Sequence, residues 1–261
     1  MIDIVIPYLN PYNDIADRPH IDRESQLAEL MAHLPKYLTD QGLDWLITIV
    51  EDCQDSGQFN RGLIKNIGAV LTEGTDIIFH DCDYVPIRAD YAEKADPTRL
   101  ISYGLQEQDR LNLNEFWGGV VQVPRRAFLK ANGYSVRYPY WGWEDTDFRV
   151  RLEVTGHDLK WLPGEFRALA HPHMGLMPDG VMKSTTLDQE QMFRQRLSRG
   201  FQGFRQWMEI DGLNTLDYEL VSRCQRAERV QHILVDTEPW LDTAKPYWRA
   251  NHWYRESPLG W

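Results

Sequence analysis

Cysteine is scarce in this 261-residue chain: Cys53, Cys82 and Cys224 are an odd number and lie far apart. That excludes a disulfide framework and suits a reducing compartment. Positive charge is in deficit, with 28 Lys and Arg against 39 Asp and Glu and a formal net charge of −11. Nucleic-acid phosphates are bound by clustered Lys and Arg, so this balance excludes a nucleic-acid partner. A nucleotide can still be held through a metal and one or two arginines. Long apolar runs are missing too, and none approaches the ~18 residues of a membrane span. The opening MIDIVIPY is too short for the apolar part of a signal peptide and carries no basic segment. The cytoplasm is therefore the expected location. Repeats, low-complexity tracts and linkers are also lacking, so the chain reads as one domain with one sizeable α/β core.

Aromatic residues are what the chain has in excess: Phe, Trp and Tyr make up 12% of it, including 10 Trp. Bulky core packing accounts for this, and so does stacking on the apolar faces of sugars. Three short apolar runs, residues 2–6, 45–50 and 76–79, read as buried strands. Between the first two, Leu27, Leu30, Met31, Leu34 and Leu38 recur at helical spacing, and Pro35 is expected to end or kink that helix. Between the second and third, Leu63, Ile64, Ile67, Val70 and Leu71 mark another helix, with Asn60 as its N-cap. Strand–helix–strand–helix–strand implies a parallel sheet with right-handed crossovers. Further on, residues 189–207 read as a helix and 232–236 as a strand. Residues 1–104 thus read as a nucleotide-binding half and 105–175, rich in Gly, Trp and acidic residues, as a sugar, acceptor and metal half. Residues 176–261 carry the helix, the strand and an aromatic tail.

The third apolar run ends abruptly in His80, Asp81, Cys82 and Asp83. Two carboxylates two residues apart, at the end of a buried strand, stand where an open α/β sheet holds its ligands. Their oxygens suit hard cations such as Mg²⁺ or Mn²⁺, which neutralise a diphosphate; a solvated turn is the alternative. FNRGLIKNIGA, residues 59–69, fits an ordinary amphipathic helix, or else sets Arg61 and a helix N-terminus beside a diphosphate or uracil. Gly118 and Gly119 permit close backbone approach by a ligand, although a simple turn explains them equally well. YWGWEDTDF, residues 140–148, is harder to derive from packing, because acidic groups beside large aromatics carry a desolvation cost. For sugar chemistry the cluster is coherent. Trp141 and Trp143 hold a pyranose, one carboxylate fixes hydroxyls, and another takes a proton. In LAHPHMG, His171 and His173 point to one side of an extended segment, and Pro172 favours that geometry. Both rings could reach one metal and complete a ligand set with the acidic pair.

Taken in order, VIPY, FNRGLIKNIGA, IFHDCDYVP, FWGGV with FLKANGY, YWGWEDTDF, HPH and DGLNTLDYEL resemble the β-1,4-galactosyltransferase family, from residue 4 to residue 236. The resemblance implies a GT-A type α/β fold, a central, mostly parallel sheet flanked by helices, with a Mn²⁺-bound UDP-sugar and inversion at the anomeric carbon. By position it implies that Pro7, Tyr8, Phe59 and Arg61 line the UDP site, that Asp81 faces the ribose and that Asp83 binds the metal. His171 and His173 look like the metal ligands of the xylose-specific branch. Asp145 matches the catalytic base and Glu144 the neighbouring acceptor-binding acid. Phe116 falls where the family has a bulky gate beside the sugar's C2 substituent, and Trp117, Gly118, Gly119, Trp141, Trp143 and Asp147 join it as substrate-binding positions. The chain also departs from the family pattern. Leu9 and Pro11 stand where arginines follow the Pro-aromatic pair, leaving Arg18 and Arg23 as candidate replacements. Residues 11–23 add a segment before the first helix, and Trp143 abuts Glu144 without the usual glycines.

The function expected from these readings is transfer of galactose from UDP-galactose to a sugar hydroxyl of a saccharide or glycolipid acceptor, forming a β-linkage, β-1,4 by resemblance. Alternatives are a UDP-GalNAc, UDP-Glc or UDP-GlcNAc donor, a carbohydrate-binding module without turnover, and a metal-dependent hydrolase. The absence of an anchor suggests a soluble, bacterial-type enzyme building a surface glycan at the inner face of the membrane. Trp240, Tyr247, Trp248, Trp253, Tyr254 and Trp261 offer surface for subunit pairing or peripheral membrane contact.

Overall fold

The computed structural model describes residues 1–9, 22–53, 59–92, 96–100, 103–104, 117–140, 142–169 and 184–239. Strand β1 (Ile2–Tyr8), helix α1 (Arg23–Asp40), strand β2 (Trp45–Asp52), helix α2 (Arg61–Val70) and strand β3 (Asp76–His80) form the alternating unit that the apolar pattern predicts. All seven residues of β1 are buried, as a strand covered on both faces requires. Its side chains alternate between two cores. Ile2, Ile4 and Ile6 pack with Leu30, Leu34 and Leu38 of α1, while Val5 packs with Leu63, Ile64 and Ile67 of α2. β1 lies between β2 and β3 and is parallel to both.

Next come β4 (Tyr84–Arg88), β5 (Thr98–Arg99), β6 (Tyr103–Gly104), β7 (Val120–Pro124), α3 (Arg125–Lys130), α4 (Glu144–Val154), β8 (Lys160–Trp161) and β9 (Glu165–Ala168). The chain continues through α5 (Ser184–Ser198), α6 (Gly200–Glu209), a 3₁₀ turn at Leu213–Thr215, β10 (Glu219–Ala227) and β11 (Val230–Asp236). Eight strands form one sheet in the order β10-β11-β2-β1-β3-β7-β5-β8, and β4, β9 and β6 form a smaller one. Elements from all three stretches of the chain therefore share a single sheet. β11, β2, β1 and β3 are parallel, and β10 and β7 run antiparallel to their neighbours. Among the described residues no helix is long and apolar enough to cross a membrane.

One of three expectations is corrected and two are refined. Pro35 does not end α1, which runs five residues further to Asp40, with Leu30, Leu34 and Leu38 buried along one face on both sides of the proline. The helix expected over residues 189–207 is two helices, divided where Gly200 takes a φ of +68°. The strand near residue 232 begins at Val230 and is paired with β10, whose nine residues are all exposed and therefore carry no alternation of burial to read.

Candidate active site

The parallel strands end together, with Tyr8 of β1 opposite Glu51 of β2, and Asp81 to Asp83 leave β3 on the same side of the sheet. There the chain forms a narrow cleft lined by Pro7, Tyr8, Leu9, Arg23, Phe59, Arg61, Asp81, Cys82 and Asp83. All six residues assigned to the nucleotide from sequence thus meet in one place. Helix α2 opens onto the cleft because Asn60 caps it. The Asn60 side chain accepts from Leu63 N at 3.0 Å and donates to Val136 O at 2.7 Å, which anchors the cap to the loop before α4. A wider hollow of about 860 Å³ lies between α1, β2 and the β10–β11 hairpin. It shares Tyr8 with the cleft but lacks the acidic pair and Arg61.

Charges are balanced locally within the cleft. Arg23 Nη1 donates to Asp83 Oδ2 at 2.9 Å and to Gln26 Oε1 at 2.9 Å, and both members of the Arg23–Asp83 pair are buried. Burial alone lowers the affinity of Arg23 for its proton, but the Asp83 carboxylate reverses this and raises it. Burial raises the Asp81 carboxyl above the usual carboxylate range, while Lys65 and Arg61 pull it down. The Cys82 thiol is pushed up to about 12, chiefly by burial, so it is no nucleophile at neutral pH.

A second acidic group adjoins the first. Gly142 and Trp143 both hold positive φ, 102° and 73°, and this turn delivers Glu144 and Asp145 as the first residues of α4. A helix N-terminus favours negative charge. Glu144 Oε1 lies 3.9 Å from Arg61 Nη1, and Glu144 Oε2 is buried with no hydrogen-bond partner among the described residues. Burial, and then the charge of Asp145, push the Glu144 carboxyl up to about 7. Asp145 Oδ1 accepts from Lys65 Nζ at 2.8 Å, and the Lys65 ammonium also sits 4.8 Å from the Tyr134 ring centre. Arg61 and Lys65, one turn apart on α2, thus face Glu144 and Asp145 in turn.

Two residues read from sequence as substrate-binding are engaged within the protein itself. Asp147, expected to bind substrate, is fully buried and wholly engaged: Arg151 Nε reaches Oδ1 at 2.6 Å, and Tyr138 Oη and Arg196 Nη1 reach Oδ2 at 2.9 and 3.0 Å. Trp117 is fully buried in the core and packs edge-on against Trp161. Gly118 and Gly119 are buried. Gly119 holds a φ of +81°, and its carbonyl accepts from Asp81 N at 2.9 Å, so this turn ties β7 to the acidic pair. Trp143 is half-buried and stacks on Phe193 of α5 at 5.3 Å. Phe116, Trp141, His171 and His173 lie outside the described residues, as does the aromatic tail from Trp240 onward. Sequence reasoning missed Lys65. Its one signal was the four-residue step from Arg61, which places two cations on one face of an otherwise apolar helix.

Two family models match the chain. One, the N-terminal region of glycosyl transferase group 7, covers residues 17–92; the other, the N-terminal domain of galactosyltransferase, covers residues 103–173. β-1,4-galactosyltransferase 4 of Homo sapiens is 33% identical over 211 residues, and that of Mus musculus 32% over 210. β-1,4-galactosyltransferase 3 of Bos taurus is 28% identical over 215 residues. These alignments take in 78% of this chain, which spans 58% of the length of the first two relatives and 50% of the third. The catalytic domain of Drosophila β-1,4-galactosyltransferase 7 with xylobiose superposes with a TM-score of 0.68 at 20% identity, covering 91% of this chain and 94% of that one. A variant of the same enzyme with manganese, UDP-Gal and xylobiose gives 0.69 at 19% identity and the same coverage. The fold is thus the GT-A type, with its large, mostly parallel sheet.

Proposed function

This chain belongs to the β-1,4-galactosyltransferase family, glycosyl transferase group 7, and from that premise we propose that it is an inverting enzyme moving galactose from UDP-galactose to a hydroxyl of a saccharide or glycolipid acceptor, with formation of a β-linkage. The observation that carries this reading is the position of Arg61. It lines the cleft with Asp81 and Asp83, and its guanidinium lies 3.9 Å from Glu144, so the donor-side and acceptor-side carboxylates meet across one side chain. Pro7, Tyr8, Phe59, Arg61 and Asp81 would take the nucleotide, with Arg23 close to its phosphates.

The residues of the cleft suit a divalent metal, since Asp81 and Asp83 offer hard carboxylate oxygens and Asp83 already pairs with a cation, Arg23. Mn²⁺ would be held by Asp83 with His171 and His173, and when bound it supplies positive charge to the diphosphate of the leaving UDP. The chain's own part in the step falls to α4. Asp145 takes the proton of the acceptor hydroxyl as that oxygen bonds to the anomeric carbon from the face opposite UDP. The bond to the diphosphate oxygen breaks, and its electron pair leaves on UDP. Glu144 Oε2, buried without a hydrogen-bond partner among the described residues, is available to the acceptor hydroxyls.

Phe116 would serve as the gate beside C2 and favour UDP-Gal over UDP-GalNAc, so Phe116→Leu should raise the use of UDP-GalNAc relative to UDP-Gal; an unchanged ratio removes it from the argument. The three free cysteines support a reducing, cytoplasmic setting, and a bacterial surface glycan as product belongs to the same proposal. The deciding experiment measures UDP release from a panel of UDP-sugars with Mn²⁺, with and without monosaccharide glycosides. Release from UDP-Gal that depends on a glycoside is expected. Full-rate release without acceptor would mean hydrolysis, and binding without release would mean a lectin.

A further inference from the structure

Lys65 is a charged residue in an apolar place. It lies on α2 between Leu63, Ile64 and Ile67, which are fully buried, and is itself only 2% exposed. A buried ammonium is costly unless it is paired. Here its hydrogen-bonding partner is Asp145 Oδ1 at 2.8 Å, with the Tyr134 ring face beneath the ammonium at 4.8 Å. Burial disfavours the ammonium, but the charge of Asp145, joined by Tyr134, Asp81 and Glu144, outweighs it, so Lys65 remains charged. Asp145 Oδ2 has no hydrogen bond among the described residues.

We propose that Lys65 is a positioning residue for the transfer reaction inferred above: its ammonium holds Asp145 by Oδ1, offsets the repulsion from Glu144, and leaves Oδ2 free to take the acceptor's proton. The inference rests on that reading for the identity of the base, but the contact itself does not. Two adjacent buried carboxylates without a counter-ion cannot both stay ionised, and one would keep a proton. Among the described residues, the groups facing this pair are Lys65 and Arg61 of α2, Asp81 beyond β3, and the Tyr134 ring. Of these, only Lys65 hydrogen-bonds Asp145. Arg61 faces Glu144 from 3.9 Å.

The test is Lys65→Met, which keeps the side chain's length and removes its charge. At neutral pH kcat should fall by about 10²-fold or more, with the KM for UDP-Gal changed less than about threefold. The acid limb of the kcat–pH profile should move up by about one unit, so that part of the loss is regained at higher pH. In an Asp145→Asn background the further change Lys65→Met should leave kcat where it was, because the lysine acts through that carboxylate. Should Lys65→Met fold poorly, that double variant, with both charges gone, keeps the comparison with Asp145→Asn available. Carbon-13 titration of the Glu144 carboxyl reads the same effect without turnover and should rise in Lys65→Met. An unmoved acid limb and an unmoved Glu144 titration, or a further loss of kcat in the double variant, overturns the proposal. A wild-type protein that releases no UDP with any acceptor overturns the transferase reading instead, and the Glu144 titration then still decides whether Lys65 governs the pair.

Discussion

Glu144 and Asp145 are consecutive, acidic and buried, yet each meets a different cation: Arg61 stands off from Glu144 at 3.9 Å, and Lys65 touches Asp145 at 2.8 Å. That difference separates their roles. Asp145→Asn is close to isosteric and removes only the basic oxygen, so it should lower kcat by ~10² to 10⁴ while UDP-Gal binding, followed by calorimetry, stays near wild type. Retention of more than about a tenth of wild-type turnover would assign the base elsewhere. Glu144 leads to a stability prediction. Its carboxyl is raised from 4.5 to about 7 by burial and by Asp145, so between those values the folded chain keeps a proton that the unfolded chain has lost. Stability from this group is therefore present at lower pH and is lost as pH climbs through the window. His80 works the other way: burial presses its imidazole down to about 4, so its contribution is present above the ordinary value of 6.5 and fades as pH falls toward 4. Comparing Glu144→Gln with wild type isolates the first effect. The variant should gain stability on wild type as pH rises from about 5 to about 7, read from urea midpoints; parallel curves would show that Glu144 titrates normally.

Helix α2 delivers Asn60, Arg61 and Lys65 to the site, and its seat on the sheet is set by Gly68. A Cβ there would run into Val5 Cγ1 and lie 2.9 Å from Val50 Cγ2, so β1 and β2 leave no room for a methyl group. Alanine is the better helix former by ~1 kcal/mol. Overpacking of this kind costs ~1–3 kcal/mol, so Gly68→Ala should be net destabilising in urea titrations and should weaken UDP binding if α2 is displaced. A variant at least as stable as wild type would mean that α2 is loosely seated. This element was legible in the sequence for plain reasons: Leu63, Ile64 and Ile67 mark the buried stripe, and Asn60 marks the start. The strands of the parallel sheet were legible as continuous apolar runs because helices cover both of their faces. Other elements gave no such signal. β10 is exposed along its whole length, and the α5–α6 break turns on Gly200 alone, within a polar run. In the site, the residues lining the cleft could be named because they close conspicuous local motifs. Lys65 could not, because a lysine in an amphipathic helix ordinarily faces water, and only the packing of α4 against α2 turns it inward. The partners of Asp147 could not be named for the converse reason: it belongs to a conspicuous acidic cluster, but Tyr138 and Arg196 lie outside that cluster in the chain.

Those partners are what join the C-terminal helices to the site. Asp147 and Arg151 of α4, Arg196 of α5 and Asp211 after α6 form a buried group of two positive and two negative charges. Ser135 donates to Asp211 Oδ2 at 2.5 Å and Tyr138 to Asp147, so the loop that receives the Asn60 cap belongs to the same network. Burial pushes Asp211 upward, but Arg196 and Arg151 outweigh it and hold the carboxyl below its ordinary 3.8; its contribution is thus present above that value and lost only in stronger acid. An intact buried network of this kind is weak evidence of stability in itself, because an apolar replacement can serve as well. Removing one member is another matter, since a charge is then left buried and uncompensated, at a cost of ~3–5 kcal/mol. Arg196→Met should therefore lower the unfolding free energy from urea titrations by that amount, although Arg196 is remote in sequence from every residue of the cleft. Arg196→Met with Asp211→Asn should cost less than the two singly, since the second change removes the charge that the first exposes. Because Asp147 sits in the first turn of α4, beside Asp145, hydrogen exchange should quicken at the start of α4 in Arg196→Met, and kcat should fall more than donor binding. A single variant within ~1 kcal/mol of wild type, with α4 protection unchanged, would mean that water reaches the network and that α4 is held by the packing of Phe148 and Leu152 in the core instead.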